Sequence, residues 1–154
     1  MFTSYNIFKT IHILSATIWV GGGLVMHLLT SRIGKSEDRA QIAQFGQQAG
    51  GFGPRVFAPA AGITLLSGIV TVIDGPWSFS DPWIAFGLIV LIASVALGAG
   101  FLGPESVKIG KLTQERGPRD PEVVSRAARL TMLSRIELTF LLLVVADMVI
   151  KPGI

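Results

Sequence analysis

Lysine and arginine are sorted along this chain in a way that constrains its fold more than any other feature. Four apolar stretches, Ile11–Leu29, Val56–Ile73, Trp83–Leu102 and Ile136–Ile150, divide the sequence. Basic residues number 1 before the first stretch, 4 between the first and second, 0 between the second and third, 7 between the third and fourth, and 1 after the last. A chain folding in water gains nothing from that alternation. A chain inserting into a bilayer does, because connections rich in Lys and Arg stay on the cytoplasmic side. The first three stretches run 18 to 20 residues without Asp, Glu, Lys or Arg, close to the roughly 20 residues that span a hydrocarbon core. The fourth has 15 residues between Arg135 and Lys151. It spans only if its helix continues into the polar flanks and both basic side chains snorkel.

The expectation is therefore an all-α integral membrane four-helix bundle. It forms a single transmembrane domain over 1–154, with helices at about 5–30, 56–74, 83–103 and 121–151. Charge counting places both termini outside (N-out/C-out) and loops 31–55 and 103–121 in the cytoplasm, as in a bacterial inner (plasma) membrane. Charged residues make up 15% of the chain, against about 25% in soluble domains. The net charge of +3 sits beside the membrane, where anionic headgroups account for it. The lipid bilayer is the expected partner and nucleic acid is not. Cysteine is absent, which removes disulfides and thiolate metal sites. Only Lys9 precedes the first stretch by sequence reading, and no small-x-small cleavage site follows it, so that stretch reads as a retained helix.

The connections carry their own signals. Asp74–Pro82 reads DGPWSFSDP, dense in turn residues. Trp77, Phe79 and Trp83, with Phe2, Tyr5 and Phe8, form an expected outer aromatic belt. Ser36 is expected to cap a short cytoplasmic helix between helices 1 and 2, with Glu37 and Asp38 in its first turn. Gly50, Gly51, Gly53 and Pro54 would end it, and an interfacial helix and a solvated linker both stay open. Asp120-Pro121-Glu122 is a helix start. Glu122, Arg126 and Arg129 then share a face, either a docking surface or an extension meeting lipid headgroups. Ala58 and Gly62, Thr64 and Gly68, Ser94 and Gly98, and Ala96 and Gly100 stand four apart, a spacing that lets helix backbones approach closely in lipid.

Few residues can carry chemistry. The two histidines, His12 and His27, are about 22 Å apart along one helix and cannot share a metal ion within one chain. The face of His12 continues through Ser15, Ala16, Trp19, Gly23 and Met26. Three roles stay open for it: haem ligand, interfacial histidine bonded to a headgroup or loop, and proton or metal handling. His27 is either a second ligand or a polar residue beside Arg32. Gly21-Gly22-Gly23 costs roughly 1 kcal/mol per glycine in helix stability, offset by close helix packing or by a flat ligand against the backbone. Glu137 and Asp147 are acids in the fourth stretch, where acids are expensive. Asp147 stands four residues before Lys151, so a local pair explains it. Glu137 has no such local partner and either pairs across the bundle or transfers protons. Met148 and Met132 are axial-ligand candidates or packing residues.

The run Phe8-Lys9-Thr10-Ile11-His12-Ile13-Leu14-Ser15-Ala16-Thr17-Ile18-Trp19-Val20-Gly21-Gly22 resembles the opening helix of a small bacterial membrane superfamily. That group contains HemJ-type protoporphyrinogen oxidases, the CopD copper-resistance membrane domain and an uncharacterised four-helix integral membrane family beside them, which fits best. His12, Trp19, Gly21 and Gly22 carry the likeness, with the ending Asp147-Met148-Val149-Ile150-Lys151-Pro152. The resemblance implies haem b, with His12 as the metal ligand. On that reading Trp19, Gly22 and Gly23 shape the pocket, Glu137 handles protons or holds the bundle together in membrane oxidoreductase chemistry, and Met148, by its depth, or a second His12 from a symmetric partner is the other axial candidate. Ile136-Glu137 keeps only the acid of the Asn-Glu pair typical of HemJ, and Lys35 is the sole nearby candidate for its lysine after helix one. Two histidines and four methionines are few for copper transport. The alternatives are a non-enzymatic accessory subunit of a larger membrane complex or homo-oligomer, and a small ion or metal permease.

Overall fold

A computed structural model describes residues 3–36 and 38–152, the Arg39 side chain excepted. The expectations placed on Phe2 and Glu37 lie outside the described residues. The elements of the described residues are helices: α1 (Ser4–Ile33), α2 (Arg39–Phe52), α3 (Ala58–Ile73), α4 (Pro82–Leu97), α5 (Gly103–Arg116) and α6 (Pro121–Ile150). No strand occurs among the described residues.

The packing is inverted relative to a protein that folds in water. Leu14, Leu66 and Ile89 are 60%, 66% and 66% exposed, while Ser15, Thr64 and Ser94 are 5%, 4% and 5% exposed. Small polar residues face the helix contacts and large apolar ones face outward. That arrangement is stable only where the surroundings are themselves apolar. The interior holds Trp19, Ala60, Ala61, Val90 and Leu141 in one cluster. Among the described residues, three helices are long and apolar enough to cross a membrane: Ser4–Ile33, Ala40–Ile73 and Pro82–Arg116. The 30-residue α6 packs against α1 and α4; it is charged in its first half and apolar from Ile136 onward.

Two of those helices differ from the expected boundaries. Gly53-Pro54 does not end α2. The helix passes through a π-helical turn at Gly53–Phe57 and runs on as α3. A second such turn at Gly98–Leu102 joins α4 to α5, just before Gly103-Pro104. Proline lacks an N–H and crowds the carbonyl four residues back. A wider turn accommodates it: the Ala58 N–H donates to Gly53 O and the Gly103 N–H to Gly98 O, each five residues back. The segments read as loops 31–55 and 103–121 are therefore mostly helix. The two continuous helices have 34 and 35 residues, roughly 50 Å at 1.5 Å per residue. A hydrocarbon core is about 30 Å thick, so α2 and α5 stand largely beyond it.

Beyond it, α2 and α5 form a second helical layer with the first half of α6. A Cβ on Gly46 would lie 2.8 Å from Ser106 O and 3.1 Å from Gly110 Cα, and one on Gly50 would lie 2.2 Å from Val107 Cγ2. Only glycine permits this approach. By contrast, nothing lies within 4 Å of a Cβ on Gly62, Gly98 or Gly100, so the close approach expected at those glycines occurs instead at Gly46, Gly50 and Gly110. Ile109, Val123 and Leu130 form the core of this layer. Asp38, rather than Ser36, caps α2, its carboxylate accepting from the Ala40 and Gln41 N–H groups at 2.9 and 3.3 Å.

The Glu122–Arg126–Arg129 face is engaged within the chain. Arg126 donates to Glu105 of α5 at 2.7 Å and to Glu122 at 2.9 Å, Arg116 donates to Glu122 at 2.8 Å, and Arg129 stacks over Phe101. Hydrogen bonding from Arg126 holds the Glu122 carboxyl below the usual carboxylate range. Asp120 caps α6 by accepting from the Glu122 N–H at 2.9 Å, with Pro121 in its first turn, as the sequence indicates.

Candidate functional site

The end of the bundle that carries the Asp74–Pro82 hairpin contains a cavity of about 180 Å³. Its residues come from four helices (α1, α3, α4 and α6), the hairpin and Lys151. His12 lies three turns into α1. Its Nδ1 donates to the Thr64 carbonyl of α3 at 2.8 Å. A carbonyl can only accept, so Nδ1 carries a hydrogen, and the tautomer this selects has its lone pair on Nε2. Gly68, one turn beyond Thr64, makes room: a Cβ there would lie 3.0 Å from the imidazole. Thr64 Oγ1 lies 2.9 Å from Ser15 Oγ and 2.8 Å from Ala60 O, and Ser15 donates to the His12 carbonyl at 3.1 Å. The α1–α3 contact is thus a chain of polar groups with His12 at its cavity end.

Aromatic rings form another wall. Trp77 and Trp83 meet edge to face with centroids 5.2 Å apart, and Trp77 Nε1 donates to Tyr5 Oη at 3.5 Å. The belt expected at this level is thus partly a packed cluster. Lys151 Nζ sits 4.0 Å from the Trp77 centroid and 5.5 Å from that of Trp83, and Lys9 Nζ 5.6 Å from that of Tyr5. Lys151 does not pair with Asp147 as the spacing indicates. Its ammonium prefers the indole faces, and Asp147 Oδ2 is buried without a hydrogen-bond partner among the described residues. Trp83 Nε1 is buried and unpartnered in the same way. Met148 lines the cavity from α6, seated over Gly87, where a Cβ would lie 2.4 Å from its Cε.

The remaining candidates lie elsewhere. Trp19 is in the bundle core with Ala60, Ala61, Val90 and Leu141, about 10 Å from His12 along α1. Gly22 faces the Phe57 ring, whose Cε1 would be 2.7 Å from a Cβ, and nothing lies within 4 Å of Gly23. Glu137 accepts from the Ser94 hydroxyl of α4, about 16 Å along α6 from Met148. Helical phase had grouped Trp19 and Gly23 with His12, but the helix neighbours divide them. Sequence reasoning missed Thr64 as the holder of His12, and Lys9 and Lys151 as cations at the cavity. Thr64 and Gly68 had been visible only as a small-residue pair. Among the described residues, no three His, Cys, Asp or Glu side chains converge on a metal-ion site.

The inverted packing and the three long apolar helices define an all-helical integral membrane protein, with one histidine presented to a cavity at the hairpin end. Residues 6–152 match the family described as "Predicted integral membrane protein (DUF2269)". The chain belongs to that family. No curated protein and no solved structure matches it.

Proposed function

We propose that this is a four-span protein of a bacterial inner membrane, with both termini outside and the α2–α5 layer in the cytoplasm, whose hairpin-end cavity holds haem b through His12. The observation that carries this reading is the hydrogen bond from His12 Nδ1 to the Thr64 carbonyl. Metal-ligating histidines commit their second nitrogen in this way, which fixes the ring and raises its basicity. The lone pair of Nε2 is then the donor. Met148 lines the same cavity, and His/Met is an established haem ligand set. Lys9 and Lys151 also line it and match the two propionate carboxylates. Trp77 and Trp83 supply an aromatic wall. The opening of α1, which resembles that of HemJ-type proteins, supports the same assignment.

The donor set fits and the space limits how. About 180 Å³ is below the roughly 300–1,000 Å³ of enclosed ligand pockets. One chain would therefore enclose only part of the macrocycle, around the ligating residues, and lipid or a second copy of the chain would cover the rest. A bound haem supplies one-electron exchange. Trp19 and Gly22 support the helix contacts behind the site, and Glu137 ties α6 to α4. The proposal extends to redox chemistry and stops short of protoporphyrinogen oxidation, because Ile136-Glu137 lacks the HemJ-type pair.

The test is a haemin titration of the detergent-solubilised protein followed at the Soret band. Saturable uptake is expected at one haem per chain or per two chains. It should be lost in His12→Ala, retained in His27→Ala, and altered in band position in Met148→Leu. A protein that takes up no haemin, or uptake unchanged in His12→Ala, overturns the proposal. A colourless protein that extracts with a stoichiometric partner instead points to the accessory-subunit reading.

A further inference from the structure

A second, larger cavity lies at the opposite end, and the haem reading makes no use of it. It holds about 610 Å³, well within the range of small-molecule sites. The C-terminal end of α1, α2, α5 and the first half of α6 bound it. Its inner wall is apolar, formed by Phe45, Ile109, Val123 and Leu130. Four hydroxyls that reach it are already spent on their own helices: Ser31 on Leu28 O, Ser106 on Leu102 O, Thr113 on Ile109 O and Thr131 on Ala127 O, each at 2.8 Å. Those groups leave little to hold a polar body.

Two cations, Lys35 and Arg135, also line the crevice, and both are exposed. Arg116 and Arg126 of this layer are held in ion pairs with Glu105 and Glu122. The outer lip is apolar: Val124, Ala128, Met132 and Ile136 follow one another at four-residue spacing along α6, and all are exposed. Ile136 opens the apolar half of α6, so the lip runs into the membrane face without a break. A crevice that is apolar along its length, open toward the hydrocarbon and cationic at two points complements a molecule with a hydrocarbon body and an anionic head.

We propose that this crevice is a binding site for an anionic phospholipid of the leaflet on the Lys- and Arg-rich side. An acyl chain lies along Val124, Met132 and Ile136, and the phosphate is held by Lys35 and Arg135. The site is independent of haem.

Native mass spectrometry of the purified protein in neutral detergent tests it, with phosphatidylglycerol, phosphatidylcholine and oleate as probes. Phosphatidylglycerol is expected to bind about thirtyfold more tightly than phosphatidylcholine, as two near-surface cations provide. The preference should vanish in Lys35→Gln/Arg135→Gln at an unchanged thermal midpoint. Ala128→Phe, at an exposed position, should fill the crevice and weaken both phospholipids. Equal binding of the two phospholipids, or a preference that survives the double substitution, overturns the proposal. Oleate binding as tightly as phosphatidylglycerol overturns the phospholipid assignment in favour of a fatty-acid site.

Discussion

Gly46→Ala gives the sharpest test of the packing. The added methyl would meet Ser106 O at 2.8 Å and Gly110 Cα at 3.1 Å, where ordinary contact begins near 3.4 Å. Both blocking atoms belong to the α5 backbone, so no side chain can rotate out of the way and α5 must move. Overpacking of this kind costs about 1–3 kcal/mol, and backbone obstruction places it at the upper end. Helix propensity returns about 1 kcal/mol on replacing glycine. The net loss is about 2 kcal/mol, which lowers the thermal midpoint of a chain this size by about 4–8 °C. Gly62→Ala is the matched control, because nothing lies within 4 Å of its Cβ; it should be neutral or stabilising. Both can be measured by circular dichroism in one detergent. If Gly46→Ala raised the midpoint as much as Gly62→Ala, the close α2–α5 contact would be wrong.

Three further outcomes follow from contacts in the structure. The Glu122 carboxyl, held down by Arg126, contributes stability that is full above its unfolded value of about 4.3 and is lost as pH falls through its lower folded value. The thermal midpoint should therefore drop on acidification below about pH 4, with a smaller Glu122 contribution to that drop in Arg126→Gln; an equal drop in both would contradict the assignment. Ser94→Ala leaves the Glu137 carboxyl without its hydrogen-bond donor and should cost about 1–3 kcal/mol, whereas Glu137→Gln keeps an acceptor and should cost less, so chemical denaturation giving the reverse ranking would refute the tie. Lys151→Gln removes the ammonium from Trp77 and Trp83 and should cost about 0.5–2 kcal/mol, with a shift in tryptophan emission that Lys108→Gln does not produce.

Much of the fold was legible in the sequence because a bilayer imposes coarse rules. Apolar length marked the spans, DGPWSFSDP marked the hairpin and Asp120-Pro121 marked the start of α6. Gly53-Pro54 misled because helix-breaking residues are read locally, while a π-helical turn that carries the helix past them depends on what packs on either side. The α2–α5 layer was hidden for the same reason: Gly46, Gly50 and Gly110 sit in segments whose polarity suggested loops. In the site, helical phase put His12, Trp19 and Gly23 on one face of α1. It could not say that α3 and the hairpin meet His12 while the bundle core takes Trp19. Lys151 was assigned to Asp147 on spacing alone, and the indoles that compete for it come from a distant part of the chain.

The account rests on which parts of the chain lie on which side of the membrane, and the absence of cysteine makes that directly measurable. Single variants Ser80→Cys in the hairpin and Gln48→Cys on exposed α2 can be treated with a membrane-impermeant maleimide in intact bacterial spheroplasts and again after permeabilisation. The account predicts that Ser80→Cys is labelled in intact cells and Gln48→Cys only after permeabilisation. The reverse pattern would invert the bundle and place the His12 cavity in the cytoplasm, and labelling of both in intact cells would contradict a chain that spans the membrane between them.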